Sequence, residues 1–466
     1  MNRTSKLLLA ASLALLCLVP GCGKAEPPET PREAVWRAGF GCAAIPVSET
    51  QEPLYIAGYH NGWEITGIRD LQEVRALWLD AGGDGVLILS VDCVGLGSDT
   101  VDAIRDEIKP LLGNEAAAVH VAATHTHAGL DTLGLWGPVG MDGKNPLFME
   151  NLHAACVSAA REALADRKTG RLYRSDAATE ELQRDSRDPQ IYDTALHLLR
   201  FAPDDGGPGI RLVSYGAHAE SLRGANTRVS RDYPGVLCDL IAERTGDRAL
   251  FFAGAVGGLI MTKEFVSPFD AEENLLVTGE KLAAAALSGA PERELEPGLS
   301  DHTVSFTVPL DNTVFLYYKF LGILGNEAMS GSGATEYALR SRLSLVRLGD
   351  ASLLLLPGEI FPELITGGGR ENPSNPGASD PEPLQSILSR AGITDFIPIG
   401  LADDELGYIV PPSDYLVDET APYLNAAEPE DGSRHYEETN SVGIGCAGAL
   451  AGALEDLLKS ARLSQE

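Results

Sequence analysis

Positive charge is scarce in this sequence: 36 Lys and Arg stand against 67 Asp and Glu, a formal charge of −31 at pH 7. Phosphate binding needs clustered Lys and Arg, so the imbalance argues against nucleic acid and favours a neutral or cationic ligand, or simply a well-solvated surface. Cysteine is sparse as well, at seven. Two of these, Cys17 and Cys22, lie near the amino terminus. Cys42, Cys93, Cys156, Cys238 and Cys446 lack the short paired spacing of a zinc knuckle or a dense disulfide framework. One or two disulfides are compatible with them outside the cytoplasm. The apolar run Leu7 to Val19 is about thirteen residues, against about twenty for a membrane span. No repeat of fixed period is evident, and Ser330-Gly331-Ser332-Gly333 neither follows a strand nor opens a helix, which excludes a phosphate cradle there.

What is present begins with an export signal. Arg3 and Lys6 precede the apolar run, and Val19-Pro20-Gly21-Cys22 follows it. A small residue before Cys resembles the bacterial lipobox, so residues 1–21 are expected to be a lipoprotein signal peptide, with Cys22 left amino-terminal and lipid-modified. Ordinary secretion with a fortuitous cysteine is the alternative. Residues 22–36, rich in Pro, Glu and Lys, read as a flexible tether. The expected location is the bacterial cell envelope, with the membrane as a partner through that lipid anchor. Residues 37–466 are left for one catalytic domain.

Short β-branched runs alternate with amphipathic stretches, which predicts an α/β fold of mixed β-sheets with flanking helices. Val86–Val91, Ala118–Thr124, Ile210–Ala217, Ala249–Ala255, Ser352–Leu356 and Phe396–Leu401 read as buried strands. Val304–Leu310 and Leu343–Leu348 read as antiparallel additions. Helices are predicted over Ser98–Leu112, capped by Ser98 or Asp99, and over Leu147–Ala165, Pro234–Arg244, Asn274–Leu287 and Gly445–Leu463. Residues 367–383, rich in Gly, Pro, Asn and Ser, read as a surface loop.

The chemistry concentrates where strands end. Residues two apart on a strand share a face, so His125 and His127 of Thr124-His125-Thr126-His127 emerge together where an apolar strand stops. Such a pair can share a metal, or one ring can ligate while the other serves the chemistry; packed histidines give the same pattern. Three more strands run into ligand-type residues: His218, Glu359 after Pro357-Gly358, and Tyr408 after Gly407. Ligands gather beyond the carboxyl ends of strands in α/β sheets, and two imidazoles with a carboxylate make an open zinc shell. Read singly, His218 is also compatible with a core histidine, Glu359 with a cap or ion-pair partner and Tyr408 with packing.

In order along the chain, Ile56-Ala57-Gly58-Tyr59, Gly67-Ile68, Val74-Arg75-Ala76, Ser90-Val91-Asp92 and Ala123-Thr124-His125-Thr126-His127-Ala128-Gly129 resemble segments of the neutral ceramidases. His218, Ser230-Arg231-Asp232, Leu356-Pro357-Gly358-Glu359, Gly407-Tyr408 and Tyr436-Glu437 continue the match. The resemblance implies a ceramidase-like catalytic fold in which His125, His218, Glu359 and Tyr408 hold Zn2+, with Tyr415 a nearby competitor for the last place. It places His127 and Tyr436 beside the metal as catalytic groups, and Arg187 or Arg184 against the substrate.

The pattern also fails in places. Where the family carries a Gly-Asp-Val-Ser-Pro segment with a catalytic serine, this chain has Gly257-Gly258-Leu259-Ile260-Met261, and Thr262 is expected to point elsewhere. Leu130–Gly137 replaces a Gly-rich segment, with Asp131 read as a polar contact for substrate and Trp136 as a wall or simply a buried ring. The family's carboxyl-terminal immunoglobulin-like domain is expected to be absent. The resulting expectation is a zinc-dependent, ceramidase-like hydrolase that cleaves the amide of a ceramide-like or other N-acylated lipid or small molecule with metal-activated water. An ester, lactone or carbohydrate-derived substrate, or a non-catalytic ligand-binding lipoprotein, are the alternatives.

Overall fold

Alternation along Val86-Leu87-Ile88-Leu89-Ser90-Val91 sends Leu87, Leu89 and Val91 to one face of a strand and Val86 and Ile88 to the other, all of them buried. Such a strand must be covered on both sides. The computed structural model, which describes residues 34–463 apart from 49–52, 114, 180–181, 267–268, 332–333 and 430–431, supplies both covers. The expected signal peptide, Cys22 and most of the expected tether lie outside the described residues. Trp36 is a correction to the tether's end: it is buried, begins a strand, and donates its indole N–H to the Leu295 carbonyl at 2.7 Å.

The larger sheet runs, in spatial order, Arg248–Ala253, Ile210–Tyr215, Ala195–Pro203, Lys168–Ala178, Trp36–Ala44, Glu73–Asp80, Gly85–Val91 and Ala117–Ala123. Arg293–Leu295 pairs with Lys168–Ala178 as a ninth strand. The two edge pairs are parallel and the middle is antiparallel. A second sheet runs Leu299–Leu310, Tyr337–Leu348, Ala351–Leu355 and Ile397–Ile399, with Ala328–Ser330 on Tyr337–Leu348. Leu77, Leu79, Val86 and Ile88 of the first sheet share one core with Val346, Leu348, Leu353 and Ile397 of the second.

Helices close both outer faces. Ser98–Leu112 and Pro146–Ala165 cover one half of the large sheet, Asp232–Thr245 and Ala271–Ala286 the other. Cys446–Leu463 and Leu384–Arg390 cover the small sheet. The mixed α/β expectation therefore holds, with helix, sheet, sheet and helix stacked in that order. The first helix differs at its start: Gly97 occupies the cap position, and Asp404 Oδ1 accepts the Ser98 N–H at 2.8 Å from across the fold. The five described cysteines are all free thiols. Among the described residues no helix is long and apolar enough to cross a membrane.

Two features position the site. The edges of the large sheet curl toward each other, so that Ser90 Oγ donates to the Phe251 carbonyl at 2.5 Å. The end of the Ile397–Ile399 strand is inserted between them: Gly400 N–H bonds to Ala253 O at 2.8 Å and Ala123 N–H to Leu401 O at 3.1 Å. Four strand ends from two sheets are thereby stitched into one floor.

Packing beneath it is close. A Cβ on Gly41 would lie 2.0 Å from the Ala159 carbonyl of the covering helix, while Gly452, on the last helix, faces open space. Gly41→Ala is expected to destabilise the protein by about 1–3 kcal/mol, and Gly452→Ala to stabilise it by about 0.5–1 kcal/mol. Thermal melting of both variants checks this; equal effects would contradict the packing.

Candidate metal centre

Three imidazoles converge on that floor. His125 follows Ala117–Ala123, His127 lies two residues on, and His218 follows Ile210–Tyr215; one ring nitrogen from each lies within 4.8 Å of the others. His125 adopts a left-handed backbone, φ +63°, which costs an L-residue other than Gly about 1–2 kcal/mol. The turn aims the ring inward, where its Nδ1 bonds the Val94 carbonyl at 2.6 Å. His218 is held the same way, by the Ile260 carbonyl at 2.8 Å. A carbonyl only accepts, so each Nδ1 is the donor, and in the neutral ring the lone pair sits on Nε2, facing the cluster.

Glu359 joins from beyond the Ala351–Leu355 strand. Its Oε2 is 2.9 Å from His218 Nε2 and 3.3 Å from His125 Nε2. Tyr408 is drawn in by the parallel pairing of Glu359–Ile360 with Tyr408–Ile409, and its hydroxyl lies 3.3 Å from His218 Nε2. His125, His218, Glu359 and Tyr408, far apart in sequence, thus meet at one point. Tyr415 does not; it is buried in the core behind the small sheet.

Burial opposes the charge on Glu359, but His125 and His218 outweigh it and hold the carboxyl well below its usual range. Burial likewise opposes protonation of His218, yet the hydrogen bond and charge of Glu359 raise its pKa to about 8. Burial keeps His127 neutral, pushed well below the usual imidazole range, with His125 and His218 adding to the effect. Its Nε2 is 3.1 Å from His125 Nε2. Its buried Nδ1 has no hydrogen-bond partner; the nearest charged group, Glu220 Oε2, is 3.9 Å away and accepts from Tyr59 Oη at 2.5 Å. Gly58 makes room for this ring: at φ +110° it passes where a Cβ would come within 2.7 Å of His127. Two imidazole nitrogens fixed by backbone carbonyls, a carboxylate and a phenol hydroxyl, with a third imidazole beside them, are a donor set that fits a borderline divalent metal such as zinc.

Two cavities meet at the cluster, both lined by Gly58, His127, Tyr408 and Tyr436. One is apolar, walled by Val94, Leu133, Leu135, Trp136, Phe315 and Leu339. The other is polar, with Tyr59, Arg187, Glu220, Arg370 and Glu437 on its walls. Tyr436 stands half-exposed at the junction, its pKa raised by burial and by the Glu359 charge.

Arg187 reaches the polar cavity, but its guanidinium is already engaged: Nη2 lies 3.0 Å from both Asp414 Oδ2 and Glu438 Oε1, and Nη1 is 3.2 Å from Glu437 Oε2. Arg184 instead pairs beside Met261, away from both linings. Asp131 is a correction. It is fully buried and outside both cavity linings, with Oδ1 accepting the Leu133 and Gly134 amides at 2.9 and 2.7 Å and Oδ2 the Trp136 amide at 2.7 Å. The carboxylate shapes the loop that carries Trp136 to the cavity wall and itself faces neither cavity.

Sequence reasoning missed two contributors. In Gly257–Met261, Ile260 supplies its backbone carbonyl, bonded by both the N–H and the Nδ1 of His218; side-chain identity carries no trace of that. Glu405 lines the apolar cavity, with Oε1 accepting the Gly407 N–H at 2.9 Å and Oε2 buried without a partner. Burial and the charge of Glu359 push its pKa well above the usual carboxylate range. An acidic residue inside an apolar lining was hidden because the turn Asp403-Asp404-Glu405 reads as solvated.

No family model matches the chain, and no curated protein matches it. Among solved structures, its fold is similar to that of a neutral ceramidase from Pseudomonas aeruginosa, with TM-score 0.72, 16% identity, and coverage of 93% of this chain and 75% of that one. A ceramidase complexed with C2 is similar too, with TM-score 0.69, 17% identity, and coverage of 92% of this chain and 76% of that one. The ceramidase-like fold and the motif order in the sequence agree.

Asp131→Ala would leave the Leu133, Gly134 and Trp136 amides without their acceptor and is expected to cost roughly 2–4 kcal/mol in unfolding free energy while bound metal stays at the parent's stoichiometry. Denaturant unfolding with metal analysis decides: unchanged stability would remove the loop-building role.

Proposed function

We propose that this protein is a zinc-dependent hydrolase of N-acylated amphipathic substrates, ceramide-like lipids being the leading class. The carrying observation is the convergence of His125, His218, Glu359 and Tyr408 with both ligand imidazoles fixed by backbone carbonyls. A zinc ion held there supplies a Lewis acid that polarises a carbonyl and lowers the pKa of water toward about 7. Its hold falls to His125 and His218 through Nε2, Glu359 and the Tyr408 hydroxyl. His127 is assigned the proton transfer instead: it is neutral, and no carbonyl fixes its Nδ1. Tyr436, a phenol whose pKa is raised further above its ordinary value, is a hydrogen-bond donor at the junction of the cavities, where charge would develop on the scissile carbonyl.

The apolar cavity suits a hydrocarbon chain and the polar one a headgroup, which places the scissile bond of an amphipathic substrate over the cluster. The solved relatives are ceramidases by their names, which favours an amide. A second reading, an ester, lactone or carbohydrate-derived substrate, is favoured by Ile260 standing where the sequence resemblance places the family's catalytic serine. Export and acylation at Cys22, with residence in the cell envelope, complete the proposal.

Hydrolysis of a fluorogenic N-acyl-sphingosine is expected to stop on chelation and return with zinc. His125→Ala should lose metal and activity together, while His127→Ala should keep the metal and lose about 10²–10⁴-fold in kcat. Full activity in either variant would sink its assignment. His218, with a metal-free pKa near 8, must shed its proton to ligate, so zinc affinity should fall as pH drops below that value, approaching tenfold per unit. Titration calorimetry across pH 6 to 9 in buffers of low metal affinity reads this; a flat profile would contradict it. Cys22→Ser should abolish metabolic labelling of the protein with a tagged fatty acid, and undiminished labelling would rule the lipid anchor out.

A further inference from the structure

The geometry points to an uncharged phospholipid surface as the partner of an apolar rim around the mouth of the apolar cavity. Residues 133–141 and 313–325 hold no Asp or Glu and a single Lys, in a chain whose acidic residues number 67. Both segments line the same cavity, through Leu135 and Trp136 on one side and Phe315 and Leu324 on the other. They are tied together by the Lys144 ammonium, which donates to the Ile323 carbonyl at 2.6 Å. From the cavity wall the same segments continue outward into large side chains left in water: Val139 is 82% exposed, Phe320 66% and Met141 60%, with Tyr317 and Leu321 also exposed. The helix Thr313–Phe320 buries none of its residues.

Scattered exposed apolar residues need no explanation, but a cluster of this size on two linked segments does. Charge selects the occupant. A second copy of a molecule carrying −31 would bring like charges together, and an anionic bilayer would be repelled for the same reason. A zwitterionic bilayer imposes neither cost. Aromatic and aliphatic side chains lying in its headgroup boundary bury apolar area there, with tyrosine suited to the interface. A hydrocarbon chain could then pass between bilayer and cavity without crossing water. This surface stands independently of the reaction assigned to the metal cluster.

The test uses the full chain carrying Cys22→Ser, so that no acyl group contributes, and phosphatidylcholine vesicles. Val139→Ser, Met141→Ser and Phe320→Ser combined should lower the vesicle partition coefficient at least tenfold, with thermal melting and metal content unchanged. Replacing a third of the phosphatidylcholine by phosphatidylserine should weaken binding of the parent. Equal partition of parent and triple variant overturns the proposal. So does light scattering in which the parent is a dimer and the triple variant a monomer, since the rim would then belong to a second copy.

Discussion

Two backbone carbonyls govern this site. Val94 O and Ile260 O each accept from an imidazole Nδ1, and everything about the cluster follows from which nitrogen is left facing inward. Were either ring free to turn, a donor N–H would face the other donors and the cluster would repel a cation. His127 Nδ1 has no such carbonyl, so among three neighbouring rings two are oriented by the backbone and one is not.

The restraint in turn depends on the sheets. The strand Gly85–Val91 leads into Val94, the segment after Arg248–Ala253 delivers Ile260, and these strands lie toward opposite edges of the large sheet. Only the curl of that sheet, with the Ile397–Ile399 strand end inserted between its edges, brings them together. The charge balance is built the same way. Glu359 stays ionised in a buried place because two imidazoles face it, while Glu405, facing apolar walls and Glu359, is driven toward its neutral form.

Elements with a clean apolar period were legible: the predicted strands over 86–91 and 118–124 and the helix Ser98–Leu112 match the structure to within a residue or so. Trp36–Ala44, Lys168–Ala178 and Ala195–Pro203, at the centre of the large sheet, were not. Lys168–Ala178 mixes charged, small and apolar residues because its alternate positions are only partly covered. Of the site, the side chains that end strands could be read from type and position. Asp131 misled because a carboxylate a few residues from two histidines reads as a polar contact for substrate until the amides that occupy it are seen. The Ile260 carbonyl could not be read at all, since every residue type brings the same one.

A ring steered by a peptide carbonyl is indifferent to which side chain the peptide bears, so drift at position 260 leaves the steering intact. Loss or gain of one residue between Gly257 and Met261 is different: it shifts the chain by a whole peptide and turns the acceptor away from His218. For the steering of His218, length rather than identity at position 260 is the quantity this segment has to conserve.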